Sequence, residues 1–293
     1  MADQAEKLRN IIKAQSQQRP PAARVITVTS GKGGVGKSNT AINLAIQFRK
    51  MNQKVIILDA DFGLANIEIM FGTVPKYNLY DLIYQGKNIK DIITWGPMDV
   101  GFISGGSGIV GMANLSRDYL NYIIQKLVEL DSMADVIIVD TGAGISDAVL
   151  EFLVASNEIL LVTTPEPTSI TDSYSLLKAL NRHSRFSQEY TSINVLANKV
   201  KNEEEGSMLY HKLNMVVSRY LKIPIEYLGY IPQDEQLARA VMQQTPVSLR
   251  NASAKSSIAY GEVARKLMNG EKESPKVKRG MMAFFSHIIT GRR

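Results

Sequence analysis

The sequence predicts an α/β protein with a mostly parallel, doubly wound sheet flanked by helices. Short apolar runs rich in β-branched residues recur along the chain, as in the buried strands of parallel sheets. Helical patterns lie between most of them, and segment 41–48 keeps apolar residues at i, i+3, i+4 and i+7. A glycine-rich loop follows the first run. The predicted strands are Val25–Thr29, Val55–Leu58, Val100–Ile103, Val136–Val139, Ile159–Thr163, Ile193–Ala197 and Tyr227–Ile231.

The composition excludes several classes of protein. The 293 residues contain no cysteine, which excludes disulfides, zinc–thiolate sites and cysteine-ligated iron–sulfur clusters. The N-terminus has no apolar run, so we expect no secretory signal. The longest uncharged stretch, Val100 to Ser116, is rich in Gly and Ser and does not resemble a membrane span. We therefore expect a cytoplasmic protein.

The chain divides into one domain and two basic tails. Polar, proline-containing linkers at 15–24 and 270–278 predict a domain over residues 25–270, with appendages 1–24 and 271–293. The net charge is +6, yet residues 25–270 hold 23 Lys/Arg against 24 Asp/Glu, so the excess lies in the tails. A nucleic-acid binder more usually carries basic clusters on its folded body. Basic tails suit anionic lipid or an acidic partner.

The loop after the first predicted strand has the pattern of a phosphate loop. It satisfies G-x-x-x-x-G-K-[ST] between a strand and a helix, and the alternative of an accidental glycine-rich turn does not explain the correctly placed Lys-Ser. Backbone N–H groups and the helix N-terminus would hold phosphate oxygens. Lys37 would reach the β- and γ-phosphates, and Ser38 would hold Mg²⁺. The loop is Gly31, Lys32, Gly33, Gly34, Val35, Gly36, Lys37 and Ser38.

Carboxylates follow two of the predicted strands. Asp59 and Asp61 come after the second run, and Asp140 ends the run that begins at Val136. Ligands of open α/β sheets bind at the carboxyl ends of strands, where phosphate-loop proteins place an acid near Mg²⁺. For Asp59 the alternative role is to cap the following turn.

Lys32, directly after the first glycine of the loop, is not part of the general phosphate-loop pattern and carries a resemblance to one family. The form Lys-Gly-Gly-Val-Gly-Lys-Ser resembles the deviant phosphate loop of the MinD/ParA class, and segment 59–66 is similar to its D-x-D-x-G-L-x-N switch I. The resemblance implies an ATP-dependent homodimer in which Lys32 crosses to the partner's phosphates. It also implies that Asp61 positions the attacking water, and that Asp59 supports a Mg²⁺ shell. The implied catalytic residues are Lys32, Lys37 and Asp61, and the implied metal residues are Ser38, Asp59 and Asp140.

The resemblance also implies an adenine site. Asn198 ends the sixth predicted strand, and Pro232 and Asp234 follow the seventh. An Asn at a strand end is otherwise a common turn former. Together with the loop and Asn39, these three residues complete the implied nucleotide-binding set.

The C-terminal tail predicts an amphipathic helix. Its apolar residues fall at i, i+3, i+4, i+7 and i+8 between basic clusters, which suits a membrane interface. The alternative is a helix docked on its own domain, and the two arrangements can hold in different nucleotide states. The predicted membrane residues are Met281, Phe284, Phe285, Ile288 and Ile289.

The N-terminal tail resembles that of one group within the MinD/ParA class. Residues 3–9 resemble the D-Q-A-x-x-L-R segment of the FlhG family, MinD-related ATPases that set flagellar number and position, and Asp140-Thr-Gly-Ala-Gly also fits that family. The resemblance implies the GTPase FlhF as a partner of Gln4, Leu8 and Arg9. It further implies flagellar C-ring partners and peripheral membrane attachment in the ATP state. The alternatives are a MinD-type division-site regulator and a ParA-type DNA-partition ATPase.

Overall fold

The computed structural model describes residues 22–61, 66–105 and 126–270, together with Gly280, Met281 and Phe284. The strands in these residues are β1 (Arg24–Thr29), β2 (Val55–Ala60), β3 (Thr94–Trp95), β4 (Gly101–Ile103), β5 (Val136–Thr141), β6 (Glu158–Thr163), β7 (Ser192–Val200) and β8 (Glu226–Pro232). They form one sheet with the order β3-β4-β2-β5-β1-β6-β7-β8.

The mostly parallel sheet that the sequence predicts is confirmed. All seven predicted strands are present, and their pairs are parallel. The additional strand β3 pairs with β4 in the antiparallel direction at one edge of the sheet. Two residues are too few to show a hydrophobic period, so the sequence did not predict this strand.

Helices cover both faces of the sheet. They are α1 (Lys37–Lys50), α2 (Asn66–Phe71), α3 (Leu79–Tyr84), α4 (Ile89–Ile92), α5 (Asp147–Ala155), α6 (Pro167–Arg182), α7 (Glu203–Tyr220), α8 (Glu235–Met242), α9 (Val247–Arg250) and α10 (Lys255–Asn269). One core cluster joins α1 and α10 to the first face. Two others join α3–α5 and α6–α7 to the second face. Among the described helices, none is long and apolar enough to cross a membrane.

The strand order brings the phosphate loop to the centre of the sheet. β1 lies between β5 and β6, and β2 lies beyond β5, so the segments that follow these four strands share one edge. Ligands bind at the point where strand order reverses in such sheets. The sequence places lysines and carboxylates at this edge, which is where the site forms.

The folded body extends beyond the predicted limits of 25 and 270. Arg24 belongs to β1, and its guanidinium binds both carboxylate oxygens of Glu158 at 2.8 Å and the carbonyl oxygen of Leu267 at 2.7 Å. Met281 and Phe284 are buried in the second-face cluster. Ala23 is buried in the same cluster, so residues on both sides of the predicted limits pack with the folded body.

Candidate nucleotide site

Two glycines let the phosphate loop approach its neighbours closely. A Cβ on Gly31 would lie 2.2 Å from the backbone carbon of Asp172 in α6. Gly36 has a left-handed φ of 99°, and a Cβ there would lie 2.4 Å from Asn198 Nδ2. Any side chain at either position would overlap its neighbour, so the loop packs directly against α6 and the end of β7.

Hydrogen bonds to carbonyl oxygens hold the loop in place. Asn198 Nδ2 donates to Val35 O at 2.7 Å, and Lys199 Nζ donates to Gly34 O at 2.8 Å. The C=O and N–H of a trans peptide point in opposite directions. Carbonyl groups that bond to the body therefore leave the N–H groups of the same peptides directed to the other side, as anion binding requires.

Lys37 and Ser38 begin α1 directly after the loop. Lys37 is buried, with 8% of its surface exposed, and its charge favours the ionised form of Asp140. Thr40 N–H donates to Gly36 O at 2.9 Å, so the first helical turn continues from the loop. A buried ammonium group at a helix N-terminus concentrates positive charge where the sequence predicts phosphates.

Two carboxylates lie side by side at the ends of neighbouring strands. Asp59 on β2 is the register partner of Asp140 on β5, and both are buried. Burial and the nearby Asp140 charge raise the pKa of Asp59 to about 8. Burial also raises the pKa of Asp140 to about 6, although the facing Ser38 hydroxyl and the Lys37 ammonium favour its charged form. Two adjacent buried acids need a positive partner.

The residues present fit a magnesium–nucleotide complex. Apart from the facing Ser38 hydroxyl, which makes no hydrogen bond of normal geometry with it, the fully buried carboxylate of Asp140 has no polar partner among the described residues. Buried charged oxygens of this kind are normally satisfied by hydrogen bonds or a cation. The described ranges contain no group of three or more His, Cys, Asp or Glu side chains able to hold a metal by themselves. A cation here would therefore share its ligands among Ser38, phosphate oxygens and water.

Asp61 lies at the entrance to this acidic pair. Its backbone N–H donates to Asp59 Oδ1 at 3.1 Å, and its side chain is half-buried. Its Oδ1 is 3.7 Å from the position that a Cβ on Gly142 would occupy. The Asp61 carboxylate therefore faces the segment after β5, and its role in positioning water stays a prediction.

Lys32 is bound within its own chain. Its ammonium group donates to Glu166 Oε2 at 2.6 Å and to Thr168 Oγ1 at 2.9 Å. The hydrogen bond from Lys32 holds the pKa of Glu166 below its usual range. Glu166 is 60% exposed, so solvent screens this ion pair, which contributes little to stability.

Sequence reasoning missed Glu166, Thr168 and Lys199. Glu166 follows β6, whose carboxyl end borders the phosphate loop, and Lys199 directly follows the predicted Asn198. A search for polar residues after every strand would have included both Glu166 and Lys199.

The predicted adenine residues have structural partners. Asn198 is buried, and its amide bonds to the phosphate loop and to Lys199 N–H. Pro232 is buried at the end of β8. Asp234 caps α8 through Gln236 N–H at 2.8 Å and accepts bonds from Ser256 N and Oγ at 3.0 and 2.8 Å. These contacts give Asn198 and Asp234 bracing roles, and adenine recognition by the three residues stays a prediction.

Part of the predicted membrane stripe faces the body. Met281 and Phe284 are buried, and the ring centroid of Phe284 lies 6.2 Å from that of Phe152 in α5. The expectation that both side chains meet a lipid surface is therefore corrected for this conformation, because their apolar surface is already covered. Phe285, Ile288 and Ile289 lie outside the described residues, as do Gln4, Leu8 and Arg9.

The chain is similar to known proteins over most of its length. A ParA family model, described as a NUBPL iron-transfer P-loop NTPase, matches residues 22–268. The chain is 40% identical over 273 residues to "Antiactivator FleN" of Pseudomonas aeruginosa, covering 92% of this chain and 95% of that protein. It is 32% identical over 301 residues to "Flagellum site-determining protein YlxH" of Helicobacter pylori, covering 99% of each.

Solved structures share the fold at lower identity. The MinC:MinD cell division complex of Aquifex aeolicus superposes with a TM-score of 0.67 at 24% identity, over 88% of this chain and 99% of that chain. The septum site-determining protein MinD of Pyrococcus horikoshii, solved with Mg-ADP, gives 0.66 at 21% identity over 87% and 100%. From its phosphate loop, its sheet and these matches, the chain belongs to the ParA family of P-loop NTPases, as a MinD-like member related to FleN and YlxH.

Proposed function

We propose that this protein is an ATP-hydrolysing switch that regulates flagellar number and position. The observation that carries the proposal is its similarity, over nearly the whole chain, to the proteins named FleN and YlxH. The site supports the switch itself, because a phosphate loop, a buried lysine and two buried acids meet at one edge of the sheet. The matched family model also mentions iron transfer, but the absence of cysteine leaves no thiolate ligands for that function.

The residues of the site divide the hydrolytic work among them. Bound Mg²⁺ would offset the negative charge of the β- and γ-phosphates. Lys37 would supply a second positive charge, and Ser38 would hold the ion. Asp59 and Asp140 would accept hydrogen bonds from its shell. Asp61 would hold the attacking water in line, so its contribution is realised only in the transition state.

Lys32 links the site to dimerisation in this proposal. The ammonium group is now held by Glu166 and Thr168, and it would leave both to reach the phosphates of a second copy. An exposed ion pair of this kind contributes little to stability, because solvent screens it. The exchange therefore costs little, and nucleotide bound in the partner can drive it.

Membrane attachment belongs to the same switch. The C-terminal helix would dock on the body in one nucleotide state and lie in an anionic membrane in the other. Met281 and Phe284 are the described residues of the docked state. One short helix binds a membrane only marginally, so two helices in an ATP-bound dimer would add avidity. The N-terminal segment would act on the flagellar GTPase FlhF, and C-ring proteins would be further partners.

The proposal is tested by separating nucleotide binding from hydrolysis. We expect Asp61→Ala to bind labelled ATP with nearly wild-type affinity and to accumulate as an ATP-bound dimer. The reason is that only the positioning of water is lost. Lys37→Ala should lose affinity, because a buried charge facing the phosphates is removed. An equal loss of ATP affinity in both variants would contradict the assignment of Asp61.

A cell assay distinguishes the proposed flagellar role from the MinD-type and ParA-type alternatives. The gene is expressed in a Pseudomonas aeruginosa strain that lacks FleN, and flagella per cell are counted. We expect the parental number to return with the wild-type gene and not with Lys37→Ala. Altered septa with unchanged flagella would favour a MinD-type role. Salt-dependent retention of the ATP form on DNA would favour a ParA-type role.

A further inference from the structure

An aromatic and basic surface lies on α3, on the loops that flank it and on the start of α4. We call it the tyrosine–lysine patch. Tyr80 and Tyr84, one helical turn apart on α3, are 40% and 47% exposed, and their ring centroids are 4.7 Å apart. Val74, which precedes the patch, is 88% exposed. The patch consists of Lys76, Tyr77, Tyr80, Tyr84, Lys87 and Lys90.

Two lysines of the patch converge on one aromatic ring. Lys87 Nζ is 4.2 Å from the ring centroid of Tyr77, and Lys76 Nζ is 5.1 Å from the same centroid. A hydrogen bond with Lys87 and the charges of both lysines lower the pKa of the Tyr77 hydroxyl. Two ammonium groups gathered at one ring make the electrostatic potential beside it positive, which would favour an anion there.

The acidic residues within and next to the patch, Asp81 and Asp91, accept hydrogen bonds from backbone N–H groups. Asp81 Oδ2 accepts the N–H of Asn78 at 2.8 Å, and Asp91 Oδ2 accepts the N–H of Asn88 at 3.1 Å. Both bonds belong to capping boxes at the starts of α3 and α4. The two carboxylates are thus held at helix starts, while Lys76 and Lys90 remain exposed.

The patch and the described residues of the C-terminal tail, Met281 and Phe284, lie on the same face of the sheet. The buried side of α3 is formed by Leu79, Leu82 and Ile83, which share one core cluster with Met281 and Phe284. A membrane that receives the C-terminal helix would therefore approach the face that carries α3.

We propose that the tyrosine–lysine patch is a second membrane contact, which docks on anionic lipid headgroups. Tyrosine is suited to this boundary because its ring is apolar and its hydroxyl is polar. Lysines near an anionic surface are attracted to it. The exposed Val74 favours lipid over an acidic protein or nucleic acid, because it can insert among acyl chains. This inference rests on the proposed membrane function and extends it to the body of the protein.

The test measures binding of the full chain to vesicles of phosphatidylglycerol and phosphatidylethanolamine with ATP. Removing one lysine from an anionic surface should weaken binding about five-fold. We therefore expect Lys76→Gln with Lys87→Gln to weaken binding at least ten-fold. The matched control is Lys212→Gln with Lys255→Gln, which removes the same charge from exposed positions on α7 and α10. Tyr80→Ser with Tyr84→Ser should also weaken binding, whereas Tyr220→Ser, at the end of α7, should not.

The outcomes separate this inference from the proposed function. If the wild type binds and the patch variants bind equally well, the patch is overturned and the C-terminal helix alone accounts for attachment. If the control pair weakens binding as much as the patch pair, net charge is responsible and the patch is also overturned. If the wild type does not bind with ATP or ADP, both proposals fail. A patch variant that loses DNA binding and keeps vesicle binding would assign the surface to nucleic acid. Urea unfolding of each variant checks that it is folded, so that a loss of vesicle binding is not caused by unfolding.

Discussion

At the scale of the residue, the nucleotide site depends on close approach between the phosphate loop and α6. Gly31 meets the backbone of Asp172 and Ser173, where a Cβ would lie 2.2 to 2.5 Å from three backbone atoms. Backbone cannot turn aside as a flexible side chain does. At Gly33, two residues further on, the nearest atom to a Cβ would be 3.9 Å away.

These two glycines give a matched pair of variants. We expect Gly31→Ala to destabilise the nucleotide-free protein by about 1–3 kcal/mol, because α6 or the loop must move. Gly33→Ala, at an exposed position with an ordinary contact, should change stability by less than about 0.5 kcal/mol. We would compare the urea unfolding midpoint of each variant with that of the wild type to test these two expectations. Equal midpoints for both variants would show that α6 or the loop can move to accept the Cβ without a loss of stability.

Single residues also show how far the sequence predicts the site. The phosphate loop and the acids at the ends of β2 and β5 are local signals, and the structure brings them together. The bond between Lys32 and Glu166 joins residues 134 apart in the chain. The contact of Asn198 with Val35 spans 163 residues. Such contacts follow from the order of the strands, which local patterns do not encode.

At the scale of the element, the C-terminal helix shows a second limit of sequence reasoning. Its apolar spacing predicts a lipid-facing stripe, but an apolar stripe fits a protein core equally well. The structure buries Met281 and Phe284 against the body. Asp131 contacts this helix start, because its two carboxylate oxygens accept the N–H of Met281 at 2.8 and 3.0 Å. A carboxylate that caps a helix start in this way typically contributes about 1 kcal/mol.

The docked helix should therefore loosen when Asp131 is replaced. We expect Asp131→Ala to raise the undocked fraction about five-fold, which corresponds to the loss of about 1 kcal/mol. Amide hydrogen exchange at residues 280–284 of the ADP-bound protein would report the change. Glu129→Ala is the control, since Glu129 lies in the same turn but pairs with Lys126 at 3.0 Å. Unchanged exchange in Asp131→Ala would mean that apolar packing alone holds the helix.

At the scale of the whole molecule, the net positive charge lies in the two tails and not in the folded body. Residues 1–24 carry five Lys/Arg and two Asp/Glu, and residues 271–293 carry six and two, around a nearly neutral body. The charged parts of the two tails are therefore suited to external partners, while the body carries the phosphate loop. For the N-terminal tail, Ala5, Leu8 and Ile12 fall on one helical stripe that is too short to fold alone. Such a stripe can gain structure by docking in a partner's groove.

The partner proposed for this tail is the flagellar GTPase FlhF, and we expect the tail to stimulate that enzyme. A docked segment can supply or position a group that stabilises the transferring phosphate, as activators of GTPases do. We expect a peptide of residues 1–20 to raise the GTP turnover of purified FlhF. Gln4→Ala should weaken this effect, and Gln18→Ala, in the linker, should not. The protein without its first 20 residues should keep its own ATPase activity, because the linker separates the tail from the site. Stimulation by the truncated protein and none by the peptide would instead place the contact on the folded body.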